Sequence, residues 1–386
     1  MIRRAFVFAL VSGLLAGPAL AQAQVYESAL QNYRVDTVVA GLVNPWSMAF
    51  LPGGDMLVTE RPGRLRIVRG GKLLAEPVAG VPQVVALGQG GLFDVVLHPN
   101  FASNRLIYLS FSKPTGDSAA ATTAVVRGKW ENDRLTGVEE VFVAVSRGAT
   151  GHYGARLAFD RSGYLFITVG DRMVPSTGDL AAHPAQDLSN HHGKTIRLHD
   201  DGRVPTDNPF VGKEGARPEI WSYGHRNSQA IAVHPETGDV WETEHGPQGG
   251  DELNLIRPGL NYGWPVVGFG VNYRTGAAIH SGTLRDGTEP PVHVWVPSIG
   301  VSGMMIYTGD KFPAWKGSVF AGGLAGEQLV RLTLDGRRAE MADILLRRQG
   351  RVRDVRQGPD GFIYVAIDNR QGTPTPIVRL KPVTRR

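Results

Sequence analysis

The chain has 386 residues, among them 49 glycines and no cysteine, and carries a formal charge of +5 at neutral pH. Without cysteine there can be no disulfide and no thiol nucleophile, so a hydrophobic core alone must hold the fold. The basic residues are scattered and never interleave with aromatics, which excludes a nucleic-acid-binding stripe.

The first residues read as a secretory signal peptide, 1–21: Arg3 and Arg4 give a charged start, Ala5 to Leu15 an apolar run, and Ala19-Leu20-Ala21 a small-residue cleavage site. The expected mature chain, 22–386, has a charge of +3, because two arginines leave and no acid does. Nothing later approaches the ~18 consecutive apolar residues of a membrane span. The expectation is a periplasmic protein with no membrane segment, as a monomer or a homodimer.

Further along, one pattern recurs: an alternating strand, a turn rich in Pro, Gly, Asn or Asp, and a second alternating strand. Its copies are 46–60, 93–111, 155–171, 229–244 and 353–368, with a degenerate one at 303–323. Six copies spaced by about 45 to 75 residues leave room for four short strands each, the period of propeller blades. A sandwich rarely repeats one hairpin six times, and solenoid repeats are shorter. The reading is all-β: one six-bladed β-propeller domain of four-stranded antiparallel blades.

Five segments beside these hairpins exceed the needs of plain turns: "GQGGLFD" (88–94), "GHYGARL" (151–157), "SYGHRNSQA" (222–230), "EHGPQGGDE" (244–252) and "QGRVRDV" (349–355). His152, in "GHYG", can take a proton from a hydroxyl near neutral pH, or can be a surface histidine in a glycine-rich turn. Arg226 and Asn227 suit an anionic or carbonyl-rich ligand, or an inter-blade ion pair. Arg351 and Arg353 flank Val352 and should face one side, calling for a polyanion or for two salt bridges. Gly246 and Pro247 can turn carbonyls toward a hard cation such as calcium, with Glu252 and Tyr262 holding a second cation or bracing the loop. A plain turn remains the alternative. No zinc spacing, Ser nucleophile elbow, P-loop or dinucleotide fingerprint occurs.

These segments, in this order and from "GLVNPWSMAFLPGGDMLVTER" to "RVRDVRQGPDGFIYV", resemble the soluble quinoprotein aldose sugar dehydrogenases of the glucose/sorbosone dehydrogenase family. The resemblance implies a six-bladed propeller with pyrroloquinoline quinone (PQQ) and Ca2+ at its mouth. Gln89, Arg226, Asn227, Tyr273, Arg351 and Arg353 would meet the cofactor or sugar. Gly246 and Pro247 would bind calcium, and Glu252 and Tyr262 a further calcium. His152 would be the general base removing the anomeric proton of an aldose as hydride passes to the quinone, Arg226 would stabilise the developing oxyanion, and an unidentified acceptor would take the electrons. Two positions depart from the family pattern. Gly151 stands where the glucose-specific branch has an aspartate, which bears on sugar specificity, and Ala325 stands where some relatives have a lysine, which bears on cofactor affinity. A calcium-dependent lactonase and a non-catalytic sugar-binding propeller are the competing readings.

Overall fold

The computed structural model describes residues 24–116 and 120–383, so the leader expected at 1–21 lies outside the described residues. Six antiparallel sheets follow one another around a ring. Their innermost strands are Pro45–Phe50, Leu92–Leu97, Gly154–Phe159, Ser228–Val233, Val301–Ile306 and Arg351–Gln357. Five blades take their strands in simple chain order. The last closes the ring: Tyr33–Leu42 pairs with Thr375–Pro382 as its fourth strand, and Val25–Tyr26 adds a short fifth. Each repeated hairpin of the sequence is the inner hairpin of one blade, and the only α-helix among the described residues is Phe101–Asn104.

The hairpins form for the reason their alternation suggests, but both faces of their second strands are covered. Met56–Glu60, Leu165–Val169 and Val240–Glu244 are buried at every residue, because each sheet is packed between two neighbours. Each fully buried Leu, Ile or Val there contributes about 1.5–3 kcal/mol. Polar alternates that would be solvated in an open sheet therefore need internal partners.

They find them at a repeated defect. All six innermost strands shift register by a bulge near their start, between Pro45 and Ser47, Leu92 and Val95, Gly154 and Leu157, Ser228 and Ala230, Val301 and Met304, and Val352 and Asp354. A bulge breaks ladder pairing and re-aims side chains. Thr59, Ser110, Thr168 and Thr243 donate their hydroxyls to carbonyls of the next blade in this zone, those of Phe93, Ala155, Ser228 and Ser302, at 2.5–3.3 Å. In the fifth blade Gly322 has no side chain to offer, and the Ser302 hydroxyl reaches the Val352 carbonyl at 2.7 Å instead. A Cβ on Gly322 would run into that hydroxyl and into Val352.

The residues carried by the bulges, among them Trp46, Asp94, Arg156, Gln229 and Arg353, meet on the ring axis. Arg156 bonds Asp354 at 2.9 Å and the Gln229 carbonyl at 2.7 Å. Arg356 bonds Asp354 at 2.9 Å and Asp94 at 3.0 Å. This network of two arginines and two aspartates, with Arg156 only 2% exposed, fills the axis below the starts of the innermost strands.

Candidate active site

All five loop segments singled out from the sequence reach the end of the ring where the innermost strands begin. A cavity of about 300 Å³ opens there, lined among others by Gln89, Asn227, Gln229, Arg351, Arg353 and Asp368. Trp46, Phe93 and Tyr153 form an aromatic wall, with successive ring centroids 5.3 and 5.4 Å apart.

The cavity is short of negative charge. Arg351 and Arg353 do face the same space, as their spacing requires, even though Arg353 occupies the bulge. They share one carboxylate, Asp368, at 3.9 and 3.8 Å, both beyond hydrogen-bond distance. Arg61 and Arg370 line the same cavity. Burial pushes the Arg353 guanidinium down to about 10 against the pull of Asp368. The Nε atoms of Arg351 and Arg226 are buried without a partner. Buried donors of this kind are costly unless a ligand completes them.

His152 borders this cavity: its neighbours Tyr153 and Gly154 line it, and its peptide N–H donates to the Gln89 side-chain oxygen at 2.9 Å. Its φ of 48° lies in the left-handed region, where a non-glycine residue is held by its surroundings. The holding group is Asp171, a residue the sequence reading did not single out. Its Oδ1 receives His152 Nδ1 at 2.6 Å and the Met173 amide at 2.9 Å, while its Oδ2 receives the indole N–H of Trp264 at 2.8 Å. Burial pushes the His152 imidazole below its ordinary value, against the opposing pull of Asp171. Burial pushes Asp171 up, but His152, Arg226 and the Met173 amide outweigh it and hold its carboxyl low. The pair is thus an ionised carboxylate fixing the proton of a neutral imidazole on Nδ1, with Nε2 left to accept another. The only hint in the sequence was a Gly-Asp-Arg directly after a strand.

Arg226 lines a smaller neighbouring cavity, which shares His245 with the first. Its amide donates to Glu244 at 2.7 Å, its Nη1 reaches the His245 carbonyl at 3.2 Å, and its guanidinium lies 5.2 Å from the Trp264 ring. Asn227 turns its side-chain oxygen toward the Gly154 amide at 3.1 Å and toward Gln229.

Beside Arg226 a small second cavity is lined by Glu244, Gly246, Pro247, Glu252, Tyr262 and Trp264. The Glu252 carboxyl is pushed well above the usual range by burial and by Glu244 and Asp251, with Asn254 opposing. Oδ1 of Asn254 and Oε2 of Glu242 are buried and unpartnered. Tyr262 donates its hydroxyl to the Leu255 carbonyl at 2.6 Å and stacks on His225 at 4.6 Å, which makes it a brace of this loop. Tyr273, 63% exposed, donates to the Gly246 carbonyl at 3.3 Å. Ala325 lines the outer side of the Gly246–Pro247 turn with Tyr273. Among the described residues no three His, Asp or Glu side chains form a metal-holding group. A cation here would need carbonyl oxygens as well as carboxylates, the donor set of a hard ion.

His191 is buried, accepts the Val145 amide at 2.7 Å and pairs with Glu219 at 2.8 Å.

A propeller whose mouth combines a neutral, carboxylate-fixed histidine with an arginine-rich cavity has the form of a cofactor-dependent enzyme site. Comparison with known proteins gives the family: residues 42–379 match the model of the glucose/sorbosone dehydrogenases, and the chain belongs to that family. It is 44% identical over 370 residues to the aldose sugar dehydrogenase YliI of Escherichia coli, covering 94% of each chain. The apo-form structure of the soluble aldose sugar dehydrogenase from Escherichia coli superposes with a TM-score of 0.85 at 41% identity, over 91% of this chain and 100% of that one. The PQQ-bound form of the aldose sugar dehydrogenase from Streptomyces coelicolor matches with a TM-score of 0.70 at 29% identity, over 92% and 100%.

Proposed function

We propose that the protein is a periplasmic, PQQ-dependent aldose sugar dehydrogenase that converts the anomeric hydroxyl of aldoses to the lactone, with His152 as general base. The observation that carries this reading is the fixed, neutral His152 beside a cavity whose buried guanidiniums lack counter-charge. PQQ is a flat tricarboxylate. Arg351, Arg353 and Arg226 supply donors for it, Asn227 and Gln89 polar contacts, and Trp46, Phe93 and Tyr153 an aromatic wall. The carbonyls of Gly246 and Pro247 would hold calcium near the cofactor. The buried, mutually repelling Glu244 and Glu252 fit a further cation. When bound, the quinone with its calcium supplies an electrophilic carbonyl that accepts a hydride.

The chain's own part is positioning and proton transfer. Nε2 of His152 takes the proton of the anomeric hydroxyl, and Asp171 stabilises the imidazolium that results. Arg226, beside Trp264 at the cavity edge, stabilises negative charge developing on oxygen. The aromatic wall and the filled axis below keep water from entering behind the site. The signal-type leader at 1–21 supports export to the periplasm.

The reading is tested with purified protein loaded with PQQ and calcium. His152→Ala should abolish dye-linked oxidation of aldoses while PQQ still binds within a few-fold of wild type. Unchanged turnover would remove His152 from the reaction.

A further inference from the structure

Four arginines and a single carboxylate, Asp368, line the main cavity, and Arg226 stands beside it. On the proposed reading Arg226, Arg351 and Arg353 serve the three carboxylates of PQQ. Two guanidiniums at the same cavity, those of Arg61 and Arg370, are then left without an anion.

These two share a mounting. Arg61 directly follows the second strand of the first blade, Met56–Glu60, and Arg370 comes two residues after the second strand of the sixth, Ile363–Asp368. Asn44, held in the left-handed region at φ 47°, ties the two loops together. Its carbonyl accepts the Arg61 amide at 3.0 Å, and its carboxamide donates to Asp368 at 2.9 Å and to the Asn369 carbonyl at 2.7 Å. Asn369 closes its own turn on Thr373 through three hydrogen bonds of 2.6–3.1 Å. Arg61 Nη1 donates to the carbonyls of Gly88 and Gly90 at 2.9 and 3.1 Å, which fixes its guanidinium against a second loop.

Neither charge is met. Among the described residues Arg61 pairs with no carboxylate, and the exposed Arg370 side chain makes no hydrogen bond or ion pair. A lone exposed arginine needs no partner, but these two act on their neighbours. Burial lowers the Arg351 guanidinium below its ordinary value, with Asp368 opposing, and Arg370 adds to the lowering. Burial likewise lowers Arg353, and Arg61 is among the cations that add to it. Like charges gathered on rigid loops around one opening repel one another unless an anion lies among them.

We infer that Arg61 and Arg370 form a second anion subsite at the rim of the cavity, separate from the cofactor's own contacts. It binds a small anionic reactant, either an aldose carrying a carboxylate, such as a uronic acid, or an anionic electron acceptor. The inference rests on the PQQ-dependent reading. A guanidinium held by backbone carbonyls on one edge keeps its other N–H groups in a fixed fork, which suits a carboxylate or another compact anion. Arg370, open to solvent at the same wall, adds a second fork and a field that draws anions to the mouth.

The test compares PQQ- and calcium-loaded wild type with Arg370→Gln at low ionic strength. Three pairs of reactants are used: glucose with benzoquinone, glucuronate with benzoquinone, and glucose with ferricyanide. The first pair is uncharged, and its kcat/KM should stay within a few-fold of wild type in the variant. Arg370→Gln should lower kcat/KM about tenfold for one of the other two, the loss of one charged hydrogen bond at a solvent-open site. A loss for glucuronate identifies an acidic sugar as the ligand, and a loss for ferricyanide identifies the acceptor. Added salt should shrink either difference. PQQ titration of the unloaded variant should give an affinity within a few-fold of wild type. Unchanged kinetics with both anions would overturn the inference alone, as would a large loss of PQQ affinity, which would assign Arg370 to the cofactor. Failure of the loaded wild type to oxidise glucose with benzoquinone would overturn the reading beneath it, and the inference with it.

Discussion

Two groups of buried arginines lie along one axis and differ in how their charge is met. Below, Arg156 and Arg356 interlock with Asp94 and Asp354 within 2.9–3.0 Å, and Arg156 also lies 4.0 Å over the Trp46 ring. Above, Arg351 and Arg353 share one distant Asp368, and Arg351 and Arg226 keep unpartnered Nε atoms. The difference lies in counter-charge: the lower arginines meet carboxylates at hydrogen-bond distance, and the upper pair has one carboxylate beyond it. The lower set ties neighbouring blades together, and the upper set keeps donors that an anionic cofactor would take on the proposed reading.

Substitutions should separate the two. The largest effect is expected at the mouth's proton-handling pair. Asp171→Asn keeps the shape but removes the charge that fixes His152, and kcat should fall by about 10²–10⁴, while PQQ affinity measured by titration stays within a few-fold. On the axis, Arg156→Met leaves the buried Asp94 and Asp354 with Arg356 as their shared counter-charge, so that one carboxylate charge is uncompensated in the core, and should cost about 3–5 kcal/mol in urea unfolding. A loss below ~1 kcal/mol, the worth of an exposed pair, would erase the distinction between the two sets. Arg353→Met at the mouth should do the reverse. It should leave stability within ~1 kcal/mol or raise it, and weaken PQQ binding about 10–100-fold, as loss of a charged hydrogen bond does.

The smallest effect concerns pH. His152 must be neutral to accept a proton, and burial depresses its pKa. The fall of kcat/KM on acidification should therefore have its midpoint below the ordinary histidine value of about 6.5. A midpoint above that value would mean that Asp171 outweighs burial.

Much of the fold was legible because inner hairpins carry their own signal. "LFITVGD" and "MLVTE" alternate and are bounded by turn residues, so six blades could be counted. Ring closure was not legible: Tyr33–Leu42 reads as a strand, but nothing local says that its partner is Thr375–Pro382, more than 300 residues away. The bulges were hidden as well, because a register shift leaves no mark in hydrophobic alternation, and with them the polar residues that meet on the axis. In the site, Arg351 and Arg353 were visible through their spacing. Asp171 and Trp264 were not, since their roles exist only after a turn through the left-handed residues 172 and 173 sets Asp171 beside His152 and a long excursion from the fourth blade brings Trp264 to Asp171. Loops carry such chemistry without periodicity, so the sequence marks their presence and not their partners.

The central claim is that the mouth's unmet positive charge and the Gly246–Pro247 turn are built for PQQ and calcium. The most direct measurement is titration of the metal-stripped protein with PQQ, with and without calcium, followed through the cofactor's absorption and completed by adding glucose or xylose. The account predicts tight, calcium-dependent binding that Arg353→Met weakens and that aldose then bleaches. Binding indifferent to calcium and to Arg353→Met, or no bleaching by any aldose, would contradict it.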